Sequence, residues 1–577
     1  MTEDTSPYRQ HPFETGPQSP LWVRTTPSRI DAPQGNIAEA ISRSAARHPE
    51  QTAMHYYGTS HTYRKLAADV DRLAGFLVSK GLKPGDRVLL DMQNSPQYVI
   101  SFYAILRANG VVVPINPMNT AEEIDYFLED SGARLAIVGS ELVTRFSSVI
   151  GSRLDHIVSA HYADMAVPDD ELPFPAVMNE ARYPSTADVT DLAEALSLRM
   201  SAPPLSRGDD DLAILPYSSG TTGRPKACMH SHAAAQFVAE AQAIWYGLDH
   251  SSVMTSFMPF FHVAGMMASM ASGVSVGATL IIKTRWDPNL ISILFKRYRP
   301  TWWSAAPTMV VDVLGSESFS DDCFESLKVL TGGGSSMPAP IAQRLEDRWG
   351  LRFCEAYGLT ETISATHINS IKHPKAQCLG IPISNTHSIV VNPDSLEVVE
   401  TSELGEILIS GPQVMSGYWQ RPEATEETLI ELNGRTWLRT GDLGYVDAEG
   451  AFYLVDRIKR MINMSGYKVW PAECEMLLYR HPAVMECAVV SAPDPRRGEC
   501  VRAIIALHPQ FRGMVTEDDI ITFARGLMAA YKIPRQVDFR DQLPRSGTRK
   551  IDWRTLQTQV WAEAQTDSTH ELGKDMG

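Results

Sequence analysis

Between Tyr63 and Gly81 the apolar residues Leu66, Val70, Leu73, Phe76 and Leu77 recur at helical spacing. A Lys83-Pro84-Gly85-Asp86 turn then leads into the strand-like run Arg87-Val88-Leu89-Leu90-Asp91. The unit returns as a helix through 103–107, an Asn109-Gly110 turn and the run Val111-Val112-Val113-Pro114. Further strand-like runs occupy 135–138, 212–215 and 279–282. Helices alternating with short β-branched runs predict α/β layers with largely parallel sheets. The stretch 263–282 is uncharged and long enough to span a bilayer, but Ser269, Ser272, Gly273, Ser275, Gly277 and Thr279 make it too polar and too broken. It predicts a buried helix, a turn and a strand.

The pattern also sets boundaries. Residues 1–35 hold six prolines and no amphipathic period, the mark of an extended arm rather than core. Near 455–460 the chain turns basic (Asp456-Arg457-Ile458-Lys459-Arg460), and Pro471-Ala472-Glu473 signals a new helix. The expected organisation is an arm (1–35), a large body (36–455), a smaller C-terminal domain (456–562) and a polar tail (563–577).

With 577 residues, two or more cores are expected. At 44% hydrophobic and 21% charged, the composition is that of a globular chain. The opening segment carries acidic residues and no apolar run, so no secretory signal is read and a cytoplasmic location is expected. Seven scattered cysteines without CxxC spacing suggest reduced, mostly buried thiols and no zinc site. A net charge of −16 argues against nucleic acid as a partner. From Arg457 onward, however, 18 basic residues face 15 acidic ones, so a mildly basic end follows an acidic body.

The segment from Tyr217 to Lys226, YSSGTTGRPK, packs glycines, aliphatic hydroxyls and a lysine directly after a strand candidate. Glycines let backbone N–H groups approach oxygens, hydroxyls donate further bonds and lysine supplies charge, as a phosphate cradle requires. It is not a Walker A loop, because Lys226 follows Pro225 and precedes Ala227. A plain surface turn has the same composition, so the neighbouring motifs decide.

Those neighbours are PFFHVAG (259–265), TGGGSSMP (331–338), YGLTE (357–361), GEILISGPQVMSGYW (405–419), RTGDLG (439–444), DRIKRMINMSGYKVWPAE (456–473) and LPRSGTRKIDWR (543–554). In this order, over nearly the whole chain, they resemble the adenylate-forming superfamily of acyl-CoA synthetases, luciferases and peptide-synthetase adenylation domains. The spelling at 457–473 and of RPEAT (421–425) is most like bacterial fatty-acid-CoA ligases.

The resemblance implies an α/β fold: a large multi-sheet N-terminal domain with a smaller mobile α+β C-terminal lid domain. It implies that ATP is held by Ser218, Ser219, Gly220, Thr221, Thr222, Gly223, Lys226, Gly333, Gly334, Ser335, Ala356, Tyr357, Gly358, Thr360, Asp442, Arg457 and Lys550. Within that set Tyr357 stacks near adenine, Thr360 bonds a phosphate, and Asp442 with Arg457 holds the ribose. Glu361 carries Mg²⁺, the hard cation that accepts one carboxylate plus nucleotide oxygens. The acid lies against His262, Gly332, Gly333 and Gly358, although a satisfied core histidine reads equally well at 262. Lys550, with Thr222 and Glu361, serves catalysis, neutralising charge as the carboxylate attacks phosphorus. Lys459 is the hinge of the lid, and Gly466, Tyr467 and Lys468 approach coenzyme A. One departure is visible: the residue before Lys550 is Arg549 where the family usually has glycine, and Gly547 stands two places earlier.

The function implied is an acid–thiol ligase that makes an acyl-AMP from a large apolar acid, fatty or polycyclic, and passes the acyl group to CoA. The run Ala264-Gly265-Met266-Met267-Ala268 fits a roomy apolar pocket, though methionine at helical spacing also reads as ordinary core. An enzyme that stops at acyl-AMP or loads a pantetheinyl carrier protein, an oxygen-consuming luciferase-like enzyme and a non-catalytic nucleotide sensor are the alternatives. A homodimer is an open option.

Overall fold

A computed structural model describes residues 26–218, 224–334, 337–464, 467–494, 498–545 and 551–572. The predicted helix–turn–strand unit is present as the helix Tyr63–Ser79, capped by the Thr62 side chain, followed by the strand Arg87–Asp91. It repeats as the helix Pro96–Arg107 and the strand Val111–Pro114. Leu66, Val70, Leu73, Phe76 and Leu77 are all buried, as their spacing requires.

The chain divides into two compact units. The first comprises residues up to Ile389 with Leu408–Arg439 and Asp447–Phe452; the second takes Val390–Ile407, Thr440–Val446 and everything from Tyr453 onward. Two segments well upstream of 456 thus belong to the second unit, which a single cut in the sequence does not anticipate. The end of the expected arm also differs from expectation. Ile30 is buried and its N–H donates to Asn385 Oδ1, so residues 26–35 are coil packed on the first unit.

The first unit holds two large sheets. One has seven strands in the order His230–Ser231, Leu212–Ile214, Val111–Pro114, Arg87–Asp91, Leu135–Gly139, His156–Ala160 and Val189–Asp191, all parallel except the first. The other has nine, in the order Ile381–Pro382, Ser364–Ile368, Phe353–Leu359, Val329–Gly333, Trp302–Ser304, Val253–Ser256, Thr279–Ile282, Thr52–Tyr56 and Thr59–Thr62. Its six strands from Phe353–Leu359 to Thr52–Tyr56 are parallel. Their side chains are almost wholly buried on both faces, as parallel sheets covered by helices demand.

Residues 263–282 form a buried helix, a left-handed turn at Gly277 (φ +77°) and the strand Thr279–Ile282. The first eight residues of that helix, Ala264–Ala271, are π-helical, which the hydrophobic pattern does not reveal. No helix among the described residues is long and apolar enough to cross a membrane.

The second unit is α+β. Val484–Asp494 and Gly498–Leu507 form a long antiparallel pair, extended by Ile462–Met464 and Tyr467–Val469 and, on the same central strand, by the parallel Gln536–Phe539. The helices Pro471–Leu478 and Trp553–Leu572 pack on the long pair. All seven cysteines are buried and unbridged.

Candidate active site

Tyr217–Ser218 and Lys226–Ala227 are the two strands of an antiparallel pair in which Lys226 faces Ser218. Residues 219–223, which include Ser219, Gly220, Thr221, Thr222 and Gly223, lie between these strands and outside the described residues. The stem is braced from several sides. Tyr126 donates to Pro225 O at 2.6 Å, Tyr217 donates to Asp130 Oδ2 at 2.9 Å, and the Arg224 guanidinium lies 5.1 Å from the Tyr126 ring. Burial and the Asp130 charge push the Tyr217 hydroxyl far above its ordinary range, so it remains a donor.

The motif Tyr357-Gly358-Leu359-Thr360-Glu361 is a bulged turn. The register slips between Tyr357 and Gly358, a 3₁₀ turn covers Thr360–Thr362, and Ile363 takes a left-handed φ of +49°. Gly358 is required here by packing: a Cβ would sit 1.8 Å from Ser364 O. Tyr357 is buried, with its ring centroid 5.5 Å from that of His367. Burial lowers the His367 pKa to about 3, so this imidazole is neutral. His230 Nε2–H donates to Thr360 O across 2.7 Å, also as a neutral ring, its pKa lowered to about 4 by burial.

Tyr418 joins the two motifs. Its hydroxyl donates to Glu361 Oε1 at 2.9 Å, and its ring lies 5.0 Å from Lys226 Nζ. The backbone sets this geometry: Met415 N–H donates to Glu361 O, Met229 N–H to Gly417 O and Trp419 N–H to Ala227 O. Tyr418 lies within the 405–419 motif, but nothing in the sequence assigns it a partner 57 residues away. The Glu361 carboxylate is therefore held at the turn beside the cradle stem. No group of three or more His, Cys, Asp or Glu among the described residues is arranged to hold a metal. The Glu361 carboxylate is a hard oxygen donor, the type of ligand that Mg²⁺ takes alongside nucleotide and water oxygens.

Gly332 and Gly333 end the strand Val329–Gly333. A Cβ would approach Ala305 O to 2.0 Å at Gly332 and Ala356 O to 2.2 Å at Gly333, while Gly334 has φ +84°. The first two glycines thus have a reason within the sheet itself, besides the ligand approach expected of them. Ser335 lies outside the described residues. Just beyond, Glu355, adjacent to Ala356, accepts from Met337 N–H at 3.0 Å, and burial raises its pKa to about 7.

His262 follows a loop held by Asn94. The Asn94 amide donates to Ser256 O (3.1 Å) and Met258 O (2.8 Å) and accepts from Phe260 N–H (2.8 Å), while Tyr98 donates to Phe260 O. Gly265 packs on this loop so closely that a Cβ would lie 2.2 Å from Pro259 O. Sequence reading missed Asn94; its only signal is a position just after a parallel strand. Met266 and Met267 are fully buried in the main core.

In the second unit, Arg457 Nε pairs with Asp442 Oδ1 at 2.9 Å, bringing together two residues 15 positions apart. The Asp442 side chain is 1% exposed. Its turn is built by Gly441 at φ +67°, whose N–H donates to Glu406, and by Thr440, which bridges Ile407 O and Asp442 N–H. Lys459 is exposed on the 3₁₀ turn Ile458–Arg460, whose flanks are fixed. Buried Asp456 accepts from Ala472 N–H at the start of the helix Pro471–Leu478, and Arg460 pairs with Glu475 at 2.5 Å. Lys468 is exposed on a hairpin strand. Gly466, Arg549 and Lys550, and the side chain of Tyr467, lie outside the described residues.

Comparison with known proteins gives the family. The AMP-binding enzyme domain matches residues 41–419 and the AMP-binding enzyme C-terminal domain matches 473–550. The chain belongs to the AMP-binding enzyme family. Within this family it is 32% identical to a long-chain-fatty-acid–CoA ligase of Bacillus subtilis (strain 168), over 94% of this chain and 97% of the relative. It is 33% identical to a feruloyl-CoA synthase of Amycolatopsis, over 88% and 96%. Among solved structures it resembles the anthranilate CoA ligase AuaEII in complex with anthranoyl-AMP, with a TM-score of 0.79, 25% identity and coverage of 92% and 98%. AMP-binding acyl-CoA ligases are adenylate-forming enzymes that use ATP, Mg²⁺ and CoA.

Proposed function

We propose that this protein is an ATP-dependent acyl-CoA synthetase for large apolar carboxylic acids, fatty or polycyclic. The observation that carries the reading is the Tyr418 bridge between Glu361 and Lys226, which sets a metal-type carboxylate beside a phosphate-type cradle.

A carboxylate resists nucleophiles because it is already negative. In the first step its oxygen attacks the α-phosphorus of ATP, the bond to the bridging oxygen breaks, and pyrophosphate leaves with both electrons of that bond. Glu361 would hold Mg²⁺, which when bound would supply neutralisation of the phosphate charge. The hairpin stem with Lys226 orients the phosphates, and Asp442, aligned by Arg457, accepts from the ribose hydroxyls. Lys550 steadies the charge developing between acid and phosphate, and Thr222 serves from the cradle. Holding acid and nucleotide together also removes the entropic cost of their encounter. In the second step the CoA sulfur attacks the acyl carbon, its proton is lost to solvent, and AMP departs.

On this reading residues 36–455 carry adenylation and 456–562 form a lid that turns about Lys459. The exposed lysine lies on a 3₁₀ turn between two anchored side chains, Asp456 and Arg460, and hinges are a few such element-terminal residues. Lys468, with Gly466 and Tyr467, then serves CoA.

ATP–pyrophosphate exchange across fatty, aromatic and polycyclic acids, followed by mass spectrometry with and without CoA, tests the proposal. Exchange with acyl-CoA supports it. Exchange with acyl-AMP alone, whatever the thiol, removes the ligase reading in favour of an adenylating enzyme. ATP binding without exchange for any acid removes acid activation altogether.

A further inference from the structure

The helix Ala121–Ser131 opens on a capping box at Thr120 and closes at left-handed Gly132 (φ +65°). Asp130 lies in its last turn, at the end of the helix dipole that disfavours an anion. Its side chain is 5% exposed, so hydration compensates little. A residue that breaks a local rule in this way requires partners that offset the cost.

Those partners come from two segments, 87 and 291 positions downstream, that both belong to the candidate active site. Tyr217, the first residue of the cradle stem, donates its hydroxyl to Asp130 Oδ2 at 2.9 Å. Arg421 Nη2 donates to Asp130 Oδ1 at 2.5 Å, and the Trp419 indole donates to Asp130 O at 3.1 Å. Trp419 directly follows Tyr418, and Arg421 N–H donates back to Tyr418 O. The same end of the helix grips the far side of the stem. Tyr126, one turn before Asp130, donates to Pro225 O at 2.6 Å, and the Phe127 ring meets the Tyr217 ring edge-on at 4.6 Å.

The two segments lie side by side. Tyr217 is in register with Ala227, and Ala227 O accepts from Trp419 N–H. One carboxylate therefore ties the strand that pairs with Lys226 to the segment whose Tyr418 bonds Glu361. A shift of either segment would change the separation of the Lys226 ammonium from the Glu361 carboxylate. Both Asp130 oxygens are engaged by protein donors, so the residue acts through these neighbours rather than on a nucleotide.

We propose that Asp130 is a positioning residue for the phosphates of ATP: through Tyr217 and Arg421 it sets the cradle stem against the segment that orients Glu361. This rests on the reading of the protein as an ATP-using, acid-activating enzyme.

Isothermal titration calorimetry of the full chain with MgATP and with AMP, which lacks the β- and γ-phosphates, tests the proposal. Asp130→Asn keeps the size of the side chain but turns one of its two acceptors into a donor, and Tyr217→Phe removes only a hydroxyl. Each is expected to weaken MgATP binding about tenfold, the loss of one bond to a charged group, and to leave the Kd for AMP unchanged. The double variant should lose less than the product of the two fold-changes, because both substitutions break the same bond. A merely structural role would raise both Kd values together, or lower the melting temperature without moving their ratio. Either result, or full independence of the two substitutions, overturns the inference while pyrophosphate exchange by the wild-type protein leaves acid activation intact. A wild-type protein that binds neither nucleotide removes the underlying reading, and the inference falls with it.

Discussion

The phenolic hydrogen of Tyr418 is donated to the Glu361 carboxylate at 2.9 Å, while the face of the same ring lies 5.0 Å from the Lys226 ammonium. One side chain thus orders an anion and a cation of opposite roles. Tyr418→Phe keeps the ring and its contact with Lys226 but frees Glu361. A hydrogen bond to a charged group contributes about 1.5–3 kcal/mol. The pyrophosphate exchange rate at limiting MgATP should therefore fall about tenfold or more, with the Mg²⁺ dependence shifted to higher concentration. An unchanged magnesium titration would show that Tyr418 does not position Glu361.

Asp442 should be sensitive to charge rather than size. Asp442→Asn preserves shape and buries no void, yet it loses the pairing with Arg457 and one acceptor for the ribose. The KM for ATP is expected to rise about tenfold, by analogy with other charge-assisted bonds, with little change in the KM for the acid. Equal effects on both KM values would argue against a ribose contact.

Asn94 bridges the loop before His262 with three bonds. Asn94→Ala leaves buried backbone groups unpaired at about 1–3 kcal/mol each. The melting temperature should drop by several degrees, and kcat/KM for the acid should fall more than KM for ATP. A variant of normal stability with normal acid kinetics would contradict the bracing role.

Glu355 gives a pH prediction whose sign is fixed. Burial raises its carboxyl from the usual 4.5 to about 7, so the folded protein binds a proton there that the unfolded chain has released. Stability from this group is fully present below pH 4.5 and is lost as pH rises through about 7. Glu355→Gln keeps an acceptor for Met337 N–H and removes the titration. Urea unfolding of the variant should depend less steeply on pH across that window, and identical slopes would refute the assignment.

Lys550→Ala should cost ~10²–10³ in the adenylation rate while leaving much of thioester formation from supplied acyl-AMP. Equal loss in both half-reactions would reject this division of labour.

Local pattern carried much of the fold. The spacing of Leu66, Val70, Leu73, Phe76 and Leu77 is the period of a buried helical stripe, and Val111-Val112-Val113 reads as a strand covered on both faces. The roles of Asn94 and Tyr418 were not legible, because each depends on partners that the topology alone brings near. Asn94 meets a loop more than 160 residues downstream, and no periodicity encodes that. The π-helical turns at Ala264–Ala271 escape for another reason: one extra residue per turn barely alters an apolar pattern in a wholly buried segment. Membership of the second unit by Thr440–Val446 is likewise a matter of which strands meet, not of composition. Glu361, Asp442 and Arg457 could be singled out as candidates because their motifs are short and contiguous, and the structure pairs Arg457 with Asp442 and Tyr418 with Glu361.

The collisions awaiting any side chain at Gly332 or Gly333 constrain how this scaffold can change. Those two positions belong to the sheet before they belong to any substrate, so drift at either is closed whatever acid is being selected. Diversification is left to neighbouring positions that already carry a side chain, where a change of shape does not drive a new atom into the backbone of an adjacent strand. A library meant to retarget the protein would keep the glycines fixed and randomise there.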